Sequence, residues 1–255
     1  MLVKIVGRVT IGLVLTAVVC WLASCGGISQ NDPAVSVGDR VITRGMVKHV
    51  MSVLLERGAS ASEPGRAIPT PPDYRACIAE QRAHPSSTPA PVSSQKQPKA
   101  FCKFEYERFK LKALYLLISY QWVTGEAAEL GVKVDRTELL RQLGVLRQGQ
   151  GLATEAAFRQ YLHYAGANIK DIYLSLELAQ LATKVEEKVG SELSKGETVA
   201  VALARFGKTY KRKWLARTDC RSGYIVPICR QYKRPKTPPA IVPPSVPLTA
   251  LPAGN

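Results

Sequence analysis

Apolar residues recur at helical spacing along most of the chain. The clearest example lies between Phe101 and Leu130, where large apolar side chains follow one another at steps of three, four or seven positions. This spacing places them on one face of a helix. The members of this stripe are Phe101, Phe104, Leu111, Leu114, Tyr115, Ile118 and Trp122. The pattern predicts one long core helix, and its aromatic residues are interpreted as packing groups rather than as a cofactor site.

Residues typical of helix starts predict further helices. Thr43 and Thr154 are suitable N-caps, Asp135 and Glu138 have the spacing of a capping box, and Asn168 opens a broadly apolar segment. The predicted helices run from Thr43 to about Gly58, Asp73 to Arg82, Asp135 to about Gln148, Thr154 to Tyr164, Asn168 to about Val189, and about Glu197 to Leu215. The sequence therefore predicts a mainly α fold.

A short extended segment precedes these helices. Val35, Val37 and Val41 lie on either side of Gly38 and Asp39, which are typical turn residues. The pattern predicts a small hairpin. Of two proline-rich stretches, 58–98 predicts a loop that is interrupted only by the short helix from Asp73 to Arg82, and 233–255 predicts a disordered tail.

The N-terminus has the features of an export signal. Lys4 and Arg8 precede an uncharged run from Val9 to Ala23, which is shorter than the roughly 20 apolar residues that a membrane-spanning helix needs. The run ends in Leu22-Ala23-Ser24-Cys25, which resembles the lipobox of bacterial lipoproteins. The resemblance implies that Cys25 carries a lipid and that the mature chain is extracytoplasmic, anchored to the outer face of the cell membrane without spanning it.

These features divide the chain into five segments. Residues 1–24 are a predicted lipoprotein signal peptide and 25–34 a tether. Residues 35–190 form the predicted helical domain, with the proline-rich insertion 58–98 inside it. Residues 191–232 hold a C-terminal helix and a basic disulfide loop, and 233–255 form the tail.

Four cysteines remain once Cys20 leaves with the signal and Cys25 takes the lipid. An even number of cysteines in an exported chain predicts disulfides. Three pairings are open, and separate local bridges are the simplest: Cys77 to Cys102 and Cys220 to Cys229. These spacings match no zinc pattern, and His49, His84 and His163 are scattered, so the sequence predicts no metal and no cofactor.

The formal charge of +15 is concentrated near the C-terminus. Between Arg205 and Lys236 there are eleven Lys or Arg and a single acid, Asp219, which gives a net +10. For an exported protein the matching partners are anionic lipid or wall polymer rather than nucleic acid. Lys211, Arg212, Lys213 and Arg217 are the candidate binding residues. The alternative is a basic segment that is merely solvated.

Glu126 and Glu129 lie one helical turn apart and could form a carboxylate pair for acid and base chemistry. No histidine accompanies them, and no Ser-His-Asp order or phosphate-binding loop occurs. We interpret the pair as a solvated helix face and predict no catalytic residue.

Several of these patterns together resemble a known family. They are VSVGDRVITRGMVKHVM, the long helix, GEAAELGVKVDRTELLRQL and DIYLSLELAQLATKVEEKV. They are similar to the N-terminal helical chaperone domain of SurA/PrsA-type foldases, most of all to actinobacterial-type lipoproteins. The resemblance covers roughly residues 35–232. Such proteins usually carry a parvulin-type isomerase domain, whose Gly-Gly-Asp-Leu-Gly-like and His-Ile-Ile-like motifs do not occur here.

The resemblance implies a lipid-anchored chaperone that binds unfolded exported polypeptides without covalent chemistry. Its client-binding residues stay undefined, although Met46 and Met51 on the first helix could contribute if they are not core residues. One alternative is a peptidyl-prolyl isomerase with residual activity. Another is an envelope lipoprotein that binds anionic lipid or wall polymer through its basic segment.

Overall fold

A computed structural model describes residues 29–57, 68–83 and 98–234. The predicted signal peptide, Cys25, most of the proline-rich insertion and nearly all of the C-terminal tail lie outside these ranges. In chain order the elements are β1 (Pro33–Val37), β2 (Arg40–Thr43), α1 (Arg44–Arg57), α2 (Arg75–Ala83), α3 (Pro98–Glu129), α4 (Arg136–Gly149), α5 (Glu155–Tyr164), α6 (Ile169–Ser191), α7 (Val199–Ala216) and β3 (Thr218–Cys220). The mainly α prediction is confirmed.

The four helices with predicted N-caps begin directly after those caps. The predicted capping box of Asp135 and Glu138 is only half formed, because Asp135 N donates to Gln180 Oε1 instead of to Glu138. Thr43 Oγ1 accepts a hydrogen bond from Met46 N at 3.2 Å, and Asp135 Oδ1 accepts one from Thr137 N at 2.9 Å. Asn168 and Asp171 form a reciprocal capping box at the start of α6. Each side chain satisfies a backbone N–H that the first helical turn leaves unpaired.

The extended segment is part of a three-stranded antiparallel sheet with the order β2-β1-β3. Gly38 makes the predicted turn between β1 and β2 with a φ of +60°. The third strand was not predicted, because Thr218–Cys220 is too short to show an alternating pattern. Val37 pairs with Thr218 and Val35 with Cys220, so the sheet joins the two ends of the described chain.

The main core surrounds α3. This helix packs against one side of the sheet, against α1 and α7, and against the loop after β3. Trp122 lies at the centre of this core and is 2% exposed. Trp122 Nε1 donates to Thr218 Oγ1 at 2.7 Å, so β3 is fixed to α3 by a buried hydrogen bond. The aromatic stripe of α3 is packing material, as predicted. Met51 also lies in this core, whereas Met46 is exposed.

A second packing unit projects from α3 through α6. The seam between the two helices consists of Val123, Ala127, Leu178, Leu181, Ala182 and Val185. Beyond this seam, α4, α5 and residues 169–176 of α6 form what we call the helical arm. Its own core has three buried residues, Leu143, Phe158 and Ile172. In the part of the chain that the structure describes, no helix is both long and apolar enough to cross a bilayer.

Candidate functional site

The structure divides the four predicted cationic residues of the C-terminal segment into two groups. Lys213 and Arg217 point toward α3, where they meet two carboxylates. Lys211 and Arg212 are exposed on α7 and form no ion pair with any described residue. Adjacent positions on a helix differ by about 100° in direction, which is why neighbouring lysines have different surroundings.

Glu126 is the buried member of the first group, with 4% exposure. Its Oε2 accepts a hydrogen bond from Trp214 Nε1 at 2.6 Å and contacts the ammonium group of Lys213. The interpretation of Glu126 and Glu129 as a solvated face was therefore wrong for Glu126. Its partners lie 87 and 88 positions further along the chain, beyond the reach of a local sequence pattern. A buried carboxylate with a cation and an N–H donor is satisfied, and it ties α7 to α3.

Glu129 lies at the exposed edge of the same cluster. Its Oε2 is 2.9 Å from Lys213 Nζ, and its Oε1 is 2.5 Å from Arg217 Nη1. The hydrogen bonds from Lys213 and Arg217 lower the pKa of Glu129 below its ordinary value. Both cations are thus engaged within the fold.

The free cations of α7 share one face. Lys208 lies three positions before Lys211 and four before Arg212, which makes it a neighbour of both on the solvent side of the helix. The binding of an anionic surface by Lys211 and Arg212 stays a prediction.

The helical arm is only partly covered. Around its three buried residues lie seven apolar side chains that keep part of their surface in water: Leu146, Leu152, Tyr161, Leu162, Ile169, Tyr173 and Leu176. Leu140, Val145 and Tyr164 are more than half exposed, at 51%, 56% and 52%. The arm therefore presents apolar surface on a thin three-helix scaffold.

A polar cluster joins the start of α6, within the arm, to α1. His49 Nε2 lies 2.8 Å from Asp171 Oδ1, while Asp171 Oδ2 accepts from Asn168 N at 2.7 Å. The side-chain amide of Asn168 lies 3.4 Å from the same His49 nitrogen. Within the described ranges, no other hydrogen bond or ion pair joins α1 to the start of α6. His49 and Asp171 are 122 positions apart, and only the capping role of Asp171 could have been predicted from the sequence.

Both predicted local disulfides are present. Cys77 and Cys102 have their Sγ atoms 2.03 Å apart, and Cys220 and Cys229 have theirs 1.98 Å apart. The first bridge fixes α2 to the start of α3, together with contacts among Tyr74, Phe101 and Tyr106. The second closes a loop whose Val226 and Ile228 enter the main core. Within residues 29–57, 68–83 and 98–234, no cluster of three His, Cys, Asp or Glu side chains could hold a metal ion.

The region between α6 and α7 is a short connection. Residues 192–198 join the two helices, and Gly190 lies against Val199 across the turn.

No protein-family model, no curated protein and no solved structure matches this chain. The resemblance to SurA/PrsA-type foldases therefore stays a prediction.

Proposed function

We propose that this protein is a lipid-anchored extracytoplasmic chaperone that binds unfolded exported polypeptides without covalent chemistry. The observation that carries the proposal is the apolar surface of the helical arm, where three buried side chains are surrounded by seven that are partly covered.

Such a surface suits an unfolded client. An exported polypeptide exposes apolar side chains, and removing them from water against the arm is favourable in proportion to the area buried. A shallow surface of leucine, valine and tyrosine side chains accepts many different partners weakly, because it imposes no single geometry on them.

The attachment of the arm also supports this role. The arm is continuous with α6, and its polar link to α1 is centred on the His49–Asp171 contact. In addition, Gln180 of α6 exchanges two hydrogen bonds with the backbone of Asp135 at the start of α4. A unit held by so few polar contacts can shift relative to the main core at a small cost. The arm can therefore adjust to clients of different shape.

The anchor and the compartment follow from the sequence and the cysteines. The lipobox-like Leu22-Ala23-Ser24-Cys25 supports lipid attachment at Cys25. The two disulfides support export, since such bridges persist in oxidising compartments and are rare in the cytosol.

The experiment measures aggregation of a refolding client in the presence of the mature chain at several-fold molar excess. We expect the wild type to slow aggregation and a double variant of the arm, Leu140→Gln with Val145→Gln, to lose most of this effect. Glutamine is a good helix former, so the change removes apolar surface while keeping α4 helical.

The chain offers a matched control outside the arm. Leu193 and Val201 are exposed leucine and valine side chains near the turn between α6 and α7, and Val201 has the same 56% exposure as Val145. Leu193→Gln with Val201→Gln is expected to leave protection unchanged. Failure of the wild type to protect any client would refute the chaperone function, and loss of protection only in the control variant would place the client site elsewhere.

The anchor has its own test. Mass spectrometry of the N-terminal peptide from membrane-extracted protein is expected to find an acylated Cys25 at the mature N-terminus. Replacement by Cys25→Ser should release the protein from the membrane fraction. An unmodified thiol at Cys25 would refute lipid attachment, and the chaperone proposal would be unaffected.

A further inference from the structure

The described chain begins beside the Cys220–Cys229 loop. Gly45 N donates to Gln30 O at 2.7 Å, and Arg44 N donates to Asp32 O at 2.9 Å. The guanidinium group of Arg44 lies over the ring of Tyr224, 5.8 Å from its centroid. The segment that leads back to Cys25 therefore leaves the fold next to this loop.

The loop presents an apolar tip that its own structure holds in place. Ile225 is 44% exposed, whereas its neighbour Val226 is buried in the main core. Gly223 makes the turn before the tip with a φ of +83°, and Tyr224 N donates to Arg221 O at 3.0 Å. The disulfide closes the base of the loop. An apolar side chain on such a constrained loop loses little entropy when it is buried by a partner.

Cations precede and follow the tip along the chain. Arg221, Lys233 and Arg234 are exposed and form no ion pair with any described residue. Arg230, by contrast, is paired with Asp219 at 2.5 Å. We call the surface formed by Arg44, Arg221, Tyr224 and Ile225, with Lys233 and Arg234 just after the loop, the tether face.

We infer that the tether face lies against an anionic lipid bilayer, with Ile225 inserted into the interface. The inference rests on the proposed lipid at Cys25. Only four peptide steps separate Cys25 from Ser29, so the anchor is at most about 14 Å from the described chain. At that range the face can approach to within a Debye length of roughly 8–10 Å, where its cations attract anionic headgroups.

The combination of groups favours a bilayer over a wall polymer. A polyanionic polymer would satisfy the cations but would leave Ile225 in water. An anionic membrane interface accepts both, because apolar side chains enter the acyl boundary while cations remain at the headgroups.

The test uses tryptophan fluorescence of the acylated chain on vesicles. The mature chain has two tryptophans, Trp122 and Trp214, and both are buried at 2% and 5% exposure. Ile225→Trp adds an exposed indole on the tether face, and Val145→Trp adds one on the helical arm as a control. With brominated phosphatidylglycerol in the vesicles, we expect strong quenching and a blue shift for the first variant and neither for the second.

A second measurement tests the cations with a matched pair of variants. Unacylated Cys25→Ser protein is mixed with phosphatidylglycerol vesicles, and binding is measured after Arg221→Gln with Lys233→Gln. Each cation contributes about fivefold, so a roughly 25-fold loss of partitioning is expected. Arg136→Gln with Lys170→Gln removes the same charge from exposed positions of the helical arm and is expected to lose far less.

Four outcomes would overturn the inference. They are an unquenched indole in the acylated Ile225→Trp variant, quenching of the Val145→Trp variant instead, equal losses for the two charge pairs, and binding to purified wall polymer without binding to vesicles. Acylation at Cys25 is read separately by mass spectrometry. An unacylated but vesicle-binding chain would refute the anchor while supporting the tether face.

Discussion

The indole ring of Trp214 on α7 packs directly against Gly125 on α3. A Cβ atom built on Gly125 would overlap the six-membered ring of the Trp214 indole. The indole N–H of the same side chain donates to Glu126, the next residue of α3. Glycine is therefore needed in this helix, because the ring occupies the volume that any side chain would fill.

The first prediction concerns this contact. Gly125→Ala should destabilise the protein by about 1–3 kcal/mol or more, since overpacking forces the ring or α7 to move. The helix propensity of alanine, favourable by about 1 kcal/mol, should not compensate. Gly144→Ala in α4 is the matched control, because nothing lies within 4 Å of its added Cβ. It should be neutral or stabilising in urea unfolding, and a stabilised Gly125→Ala protein would contradict the packing described here.

The second prediction compares two neighbouring lysines. Lys213→Ala leaves the buried carboxylate of Glu126 without its cation and should cost about 1–3 kcal/mol in the free energy of unfolding. Lys211→Ala removes an exposed, unpaired cation and should change stability by less than about 0.5 kcal/mol. Chemical denaturation of both variants checks the difference. Equal effects would mean that the Lys213–Glu126 pair contributes nothing measurable.

Sequence patterns predicted the helices well because their determinants are local. The caps at Thr43, Asp135 and Thr154, and the apolar periodicity of α3, lie within a few residues of the structure they specify. The two disulfides belong to the same class, since each bridge closes a single loop.

The determinants of the candidate sites are not local. Lys211 and Lys213 look alike in the sequence, and only the approach of α3 makes one a free cation and the other a partner of Glu126. Strand β3 becomes visible only when it pairs with β1, more than 180 positions earlier. The partial coverage of the arm likewise depends on how three helices pack together.

The third prediction tests the link between α1 and the helical arm. His49→Ala removes the contact to Asp171 but keeps the Asn168–Asp171 capping box. One hydrogen bond of this kind contributes about 0.5–1.5 kcal/mol, so amide exchange in the arm should accelerate roughly two- to tenfold. Exchange in the central part of α3 should not change. His163→Ala, an exposed histidine on α5, is the control, and equal acceleration in both variants would exclude a specific role for His49.

The fourth prediction concerns the Cys77–Cys102 bridge. The bridge spans 25 residues, so the chain-entropy model gives a loss of about 3–4 kcal/mol when both cysteines become alanine. The structural effect should be local, because among the described residues α2 packs mainly on the first turns of α3, where Tyr74, Phe101 and Tyr106 lie together. Limited proteolysis should cut near residues 75–83 while the arm and sheet remain intact. Loss of the whole fold would show that α2 is part of the main folding unit.

The last prediction is a loss of stability at alkaline pH. Burial raises the pKa of Tyr106 and of Tyr115 to about 12, and it raises the pKa of Tyr210 as well. In the unfolded chain a tyrosine titrates near pH 10. Because the folded-state pKa is the higher one, the stabilisation is fully present below about pH 10 and is lost as pH rises through about 12.

Tyr115 is 6% exposed and makes no hydrogen bond through its hydroxyl to any described residue, so Tyr115→Phe should be nearly neutral at pH 7. Above pH 10 the free energy of unfolding of the variant should fall by about 1.4 kcal/mol less per pH unit than that of the wild type. This difference is the contribution of one titrating group. Urea unfolding at intervals between about pH 8 and pH 11.5 measures this slope. An unchanged slope in Tyr115→Phe would show that this phenol is not desolvated on folding.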